Sequence, residues 1–231
     1  MRKFPYAAAL VGAVVVCAQL SACAAESVVL APAPIVDEPL AQAPGTQTAI
    51  LSGGCFWGMQ LVFQHVRGVR EAISGYTGGA ADTARYDDVG TGTTGHAESL
   101  EIVFDPRVIS YGTLLRVYFS VATDPTELNY QGPDQGSQYR SEIWVRSAEQ
   151  RKIAAAYVRQ LTQDHTFRAP IVTRIAQAMP FYPAETYHQN FATLHPDNGY
   201  IATVDAPKVT SLARLFPNLY AAKPVLVRTH G

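Results

Sequence analysis

The sequence predicts one α+β sandwich domain carried behind an export segment. Two observations predict it. From about Gln47 to Ala206 the chain is ordinary globular material, enough for a single domain with a real core. Within that stretch, strand-helix-strand units are followed by an antiparallel, hairpin-like remainder. No repeat or charge block divides it. The formal charge of −1 gives no reason to expect a nucleic-acid partner or a polybasic membrane patch.

The elements follow in chain order. Met1-Arg2-Lys3 is a basic start and Phe4 to Leu20 is almost wholly apolar, a secretory signal too short and wrongly flanked for a membrane span. Leu20-Ser21-Ala22-Cys23 closes it with small residues ahead of a cysteine. This end resembles the lipobox of bacterial lipoproteins, whose cysteine is acylated and becomes the first mature residue. Residues 1–22, Cys17 included, would then be lost, and Cys23 would carry a lipid anchor. A plain signal peptide cleaved nearby is the alternative. Ala24 after the cysteine, where Asp would be a retention signal, points in Gram-negative bacteria to the outer membrane facing the periplasm. Residues 23–46, with Pro32, Pro34, Pro39 and Pro44 and no helical or alternating period, read as an extended, solvated tether.

In the domain, Thr46 to Ser52 reads as a strand, Phe56 to His65 as a helix and Val69 to Tyr76 as a second strand. Ala97 to Phe104 alternates imperfectly as a strand and Asp105-Pro106 stops it. Ser110 to Val121 has helical spacing, with Ser110 as its cap. Arg140 to Val145 is a strand. A long helix follows, opened by the capping-box pair Ser147 and Gln150. Ile171 to Ala176 is a further strand and Ala184 to Thr193 a short helix. Residues 207–231 form a C-terminal tail without cysteine.

Cys55 is the sole cysteine outside the export region. It follows a strand and a Gly-Gly turn and precedes a helix, so it falls at a helix N-terminus. Unpaired backbone N–H groups and the helix dipole favour negative charge there. That placement lowers a thiol pKa from about 8.5 toward neutrality and supplies the nucleophilic thiolate. Phe56 and Trp57 set two aromatic rings beside it, an apolar wall for a substrate with a greasy end. A buried structural cysteine is the other reading the residues allow.

Other chemistries find less support. Gly90-Thr91-Gly92-Thr93-Thr94-Gly95 has dinucleotide-fingerprint spacing, but a strand follows it and Arg85 to Val89 before it is polar and irregular, so it reads as a turn-rich loop. The histidines show no i,i+4 pair and there is no C-x-x-C, so no metal site is expected. The lack of a second domain cysteine excludes a dithiol site, and the G-x-S-x-G elbow is missing. Glu98 and Asp134, taken alone, read as a solvent-facing strand residue and a turn residue, and Tyr86 and Tyr139 as core or rim aromatics.

Four segments occur in order: Gly-Cys-Phe-Trp-Gly at Cys55, Thr-Gly-His-Ala-Glu ending at Glu98, Gly-Ser-Gln-Tyr-Arg-Ser around Tyr139 with Asp134 just before it, and Ala184-Glu185-x-Tyr187-His188-Gln189. Over about residues 47–200 the chain resembles the A-type peptide methionine sulfoxide reductases, which reduce the S-epimer of methionine sulfoxide. The resemblance implies a ferredoxin-like α+β core and no metal or organic cofactor. It implies Cys55 as nucleophile and Glu98 as the acid that protonates the sulfoxide oxygen. Tyr86 and Tyr139 would be hydrogen-bond donors to that oxygen, Asp134 would order the polar network, and Phe56 and Trp57 would form the methyl pocket. It implies free methionine sulfoxide or oxidised proteins as substrates and a Cys55 sulfenic acid as the oxidised state. Many family members carry resolving cysteines near the C-terminus. This chain has none, so an external thiol is expected as reductant, whether thioredoxin-like, glutaredoxin-like or a small molecule. Two rivals remain: another cysteine enzyme, either a one-cysteine peroxidase or a hydrolase with His188 or His96 as base, and a non-catalytic envelope lipoprotein.

Overall fold

The computed structural model describes residues 28–228; the export segment with Cys17, the lipidation candidate Cys23 and residues 229–231 lie outside that range. Its centre is a six-stranded sheet. Four strands form the middle: β1 (Gln47–Ser52), β2 (Val69–Thr77), β3 (Ala97–Phe104) and β6 (Glu142–Val145). Their order, β6-β1-β3-β2 with every neighbour antiparallel, is that of a ferredoxin-like sheet. Edge strands extend it on both sides, β7 (Arg174–Gln177) parallel to β6 and β8 (Phe181–Pro183) antiparallel to β2. A separate two-residue hairpin joins β4 (Tyr130–Gln131) to β5 (Asp134–Gln135).

The helices are α1 (Phe56–Gln64), α2 (Tyr86–Gly90), α3 (Tyr111–Val117), α4 (Ala148–Gln163), α5 (Phe191–Leu194) and α6 (Ala206–Leu215). α1 crosses from β1 to β2, and α3 runs into a π turn at Tyr118–Ala122. Both expected caps are present: Ser110 Oγ accepts the Thr113 N–H, and Ser147 Oγ accepts the Gln150 N–H. The Gln150 side chain reaches back to the Arg146 N–H, one residue before the cap. The main core lies on the helix-covered face, where Leu51, Leu100, Ile102, Phe104, Ile143 and Val145 meet Met59, Val62, Leu114, Ile153 and Leu212. Period two places Glu98 on this same face as Leu100, Ile102 and Phe104. Its carboxyl therefore lies under the first turn of α1.

Four expectations need correction. Arg85 to Val89 reads as irregular but holds the short helix α2. The predicted helix from Ala184 to Thr193 is broken into a 3₁₀ turn (Thr186–His188) and α5. Gln189 is extended, its side chain pinned to both backbone groups of Ser74, and Asn190 turns left-handed at φ 59°.

The Ala/Pro-rich segment is not a solvated tether over its described part. It lies against α3 and α4 as a strap, because its unpaired carbonyls find side-chain donors. Arg116, Tyr157 and Gln160 donate to the carbonyls of Ala31, Pro32 and Ala33. Asp37 and Glu38 accept the Gly112 and Tyr111 N–H groups at the start of α3. The chain beyond residue 206 is also no loose tail: Leu212 is buried against the core, and the Ala221 and Val225 N–H groups donate to the carbonyls of His65 and Gln64.

Candidate active site

Cys55 is the N-cap residue of α1 and is partly exposed. The turn that delivers it needs Gly54, whose φ is +95° and where a Cβ would collide with Gln131. Gly58, one turn into the helix, leaves room for the Asp205 carboxylate, which a Cβ there would overlap.

The expected lowering of the thiol pKa is not found. Burial pushes the Cys55 thiol well up, and the carboxylates of Glu98, Asp205 and Asp134 add to that. The Trp57 backbone N–H at the helix start pulls the other way. One oriented dipole is outweighed by desolvation and three acidic groups, so the resting residue is a thiol.

Glu98 is not a solvent-facing strand residue; it is 4% exposed and accepts the Phe56 N–H at 2.9 Å. Burial, opposed by that hydrogen bond and aided by Asp134 and Asp205, pushes its pKa up to about 8. It therefore holds its proton near neutral pH, as a proton donor must.

Tyr86 on α2 and Tyr139 at the end of a 3₁₀ turn stand near the same groups. Burial, then the charge of Glu98, raises both phenols, which remain O–H donors. Asp134 on β5 accepts a short hydrogen bond from Tyr200, and its own pKa is raised by burial. The structure thus brings Cys55, Glu98, Asp134, Tyr86 and Tyr139 into one site.

Phe56 is buried against Tyr76 and His188. Trp57 is partly exposed and stacks on Phe191 at 4.1 Å.

The remaining motif residues hold these segments together. Arg140 donates to the carbonyls of Gly95, His96 and Ser137, fastening the Tyr139 loop to the strand that carries Glu98. Glu185 accepts the Tyr76 hydroxyl at 2.8 Å and the Tyr86 N–H at 3.0 Å, linking β2 to α2. Gln189 ties its segment to Ser74 on β2 and to Gln60 on α1.

Two histidines offered as bases are otherwise engaged. His96 accepts the Gly79 N–H at Nδ1 and bonds the Ala80 carbonyl through Nε2. His188 Nδ1 accepts the Trp57 indole N–H. The hydrolase reading thereby loses its general base. Tyr200 and Asp205 were missed from the sequence because they lie beyond the four motifs, and no local pattern marks them.

Comparison with known proteins agrees with this geometry. A family model described as peptide methionine sulfoxide reductase matches residues 47–218. The chain is 60% identical over 185 residues to peptide methionine sulfoxide reductase MsrA 2 of Mesorhizobium japonicum, covering 80% of this chain and 95% of that relative. It is 46% identical to the Synechocystis sp. MsrA 2, covering 83% and 89%. Among solved structures it is similar to methionine sulfoxide reductase A of Corynebacterium diphtheriae (32% identity, TM-score 0.56, covering 67% and 77%). Reduced Mxr1 from Saccharomyces cerevisiae is also similar (28% identity, TM-score 0.59, covering 70% and 95%).

Proposed function

This chain belongs to the peptide methionine sulfoxide reductase family and reduces methionine sulfoxide to methionine; we propose that it does so with Cys55 as nucleophile and Glu98 as acid. The observation that carries the assignment is the buried Glu98 carboxyl, which accepts the Phe56 N–H beneath the helix start that presents Cys55.

The Cys55 sulfur attacks the sulfoxide sulfur while Glu98 delivers a proton to the sulfoxide oxygen. Tyr86 and Tyr139 donate hydrogen bonds to the same oxygen. The oxygen passes to Cys55 as a hydroxyl, giving a sulfenic acid, and methionine leaves with its sulfur reduced by two electrons. The thiol proton of Cys55 balances the one Glu98 gave up, so the acid is regenerated. Phe56 and Trp57 form the wall for the S-methyl group.

A methyl slot on one side and an oxygen site on the other hold one hand of the sulfoxide productively. With dithiothreitol as reductant, the enzyme should release methionine from the S-sulfoxide and leave the R-epimer, since each epimer has its own reductase. Equal rates on purified epimers would contradict this site assignment.

The sulfenic acid is resolved by an external thiol, because Cys55 is the sole cysteine of the domain. A thiol condenses with it to a mixed disulfide, and a second thiol releases the reduced enzyme. The reductant is a thioredoxin-like protein, a glutaredoxin-like protein or a small thiol.

We further propose that the protein is exported and lipid-anchored through Cys23 to the outer membrane, facing the periplasm. The Leu-Ser-Ala-Cys run supports this reading. Because the strap is docked from about Ala31, few residues separate Cys23 from the folded domain. The eight residues from Cys23 to Ala31 span at most about 29 Å, so the domain would stand within that reach of the lipid surface. Mass spectrometry of the native protein should find an acylated Cys23 at the N-terminus. An unmodified N-terminus, or cleavage elsewhere, would refute the anchor.

A further inference from the structure

We propose that His188, as a neutral imidazole, is the positioning residue that holds the Trp57 indole in place, so that binding of methionine sulfoxide depends on one unprotonated ring nitrogen. The proposal rests on the assignment of Trp57 to the methyl pocket.

Trp57 Nε1–H donates to His188 Nδ1 at 3.2 Å. An indole nitrogen can only donate, so Nδ1 must carry a lone pair and the ring proton must reside on Nε2. A doubly protonated ring would set two N–H donors against each other. The imidazole is 2% exposed and surrounded by rings: Phe56 at 5.1 Å, Tyr86 at 4.3 Å and Tyr187 at 4.2 Å between centroids. Phe56, Trp57 and Tyr86 all belong to the substrate site. His188 therefore touches the methyl wall and an oxygen-site tyrosine together. Its Nε2 is buried with no hydrogen-bond partner among the described residues. The ring is thus held by the indole bond at one nitrogen and by packing elsewhere, and Trp57 is held in turn by Phe191 and His188.

The groups that face the imidazole are few. Its own turn brings Glu185 and Tyr187, and α2 brings Tyr86. The α1 side brings Phe56 and Trp57, which do not titrate. Burial disfavours the cation, against the pull of Glu185, and holds the ring below the ordinary histidine value. The sign follows: the neutral, accepting form is present at neutral pH and is lost on acidification below the usual value of about 6.5.

The test is single-turnover release of methionine from the S-sulfoxide by the mature protein, without reductant, with the half-saturating concentration measured against pH. For the wild type it should be constant at neutral pH and rise about fivefold to tenfold on acidification, the scale of one lost hydrogen bond. His188→Asn keeps an acceptor near the Nδ1 position and cannot take up a proton. Its half-saturation should stay within about threefold of wild type at neutral pH and lose the acid rise. His188→Phe removes the acceptor, and its half-saturation should be raised by the same factor at every pH. Saturating rates should change less than half-saturation in both variants.

A His188→Phe enzyme that binds like wild type, or a His188→Asn enzyme that keeps the acid rise, would overturn the proposal. If His188→Phe does not fold, the His188→Asn profile alone decides. A wild type that releases no methionine would instead overturn the reductase reading itself, a separate outcome.

Discussion

Replacing Cys55 by serine should abolish methionine formation. A hydroxyl in the same place is a far weaker nucleophile than sulfur and cannot accept the sulfoxide oxygen as a stable sulfenic acid. No second thiol can substitute, since the domain holds no other cysteine. Serine is close to isosteric, and Cys55 makes no side-chain cap to α1, so the fold should survive unchanged. Methionine release measured with dithiothreitol, alongside a thermal melt, checks both halves. Activity near wild type in a folded variant would sink the mechanism.

Replacing Glu98 by glutamine should slow the first half-reaction by about 10²–10⁴-fold, the usual contribution of a positioned acid. The amide can still accept the Phe56 N–H through its oxygen, so the start of α1 keeps that bond. What it loses is the transferable proton. The pH profile separates this from mere misplacement. In the wild type the carboxyl titrates at about 8, so the single-turnover rate should fall as the pH rises through that value and the donor ionises. In Glu98→Gln that descending limb should vanish from an already low rate. A rate within about threefold of wild type would reduce Glu98 to a buried strand residue.

The site was partly legible before the fold was known. The cap position of Cys55 follows from the strand, the Gly-Gly turn and the helical spacing after it, whereas Glu98, taken alone, reads as solvent-facing and is marked only by its place in the Gly-His-Ala-Glu segment. These are local signals. The protonation state of Cys55 was not legible, because the acidic groups that raise it arrive from three separated segments, at positions 98, 134 and 205. Only tertiary docking brings them together.

The same holds for Tyr200, whose hydroxyl reaches Asp134 across 66 residues, and for the strap, whose proline-rich composition marks an extended chain without saying what it lies against. The break at Gln189 and Asn190 has a similar origin. Helical spacing is present in the sequence, but the side-chain bonds to Ser74 and Gln60 prevail over it.

The central claim is that one cysteine carries one oxidation per cycle. It is tested most directly by the yield of methionine from excess S-sulfoxide without any reductant. The form to use begins at Ala24, so that it keeps the strap and holds Cys55 as its only cysteine. The account predicts release of about one methionine per Cys55, then arrest, with a sulfenic-acid probe labelling Cys55 and dithiothreitol restoring turnover. Many turnovers without added reductant, or a burst that leaves Cys55 unoxidised, would contradict it.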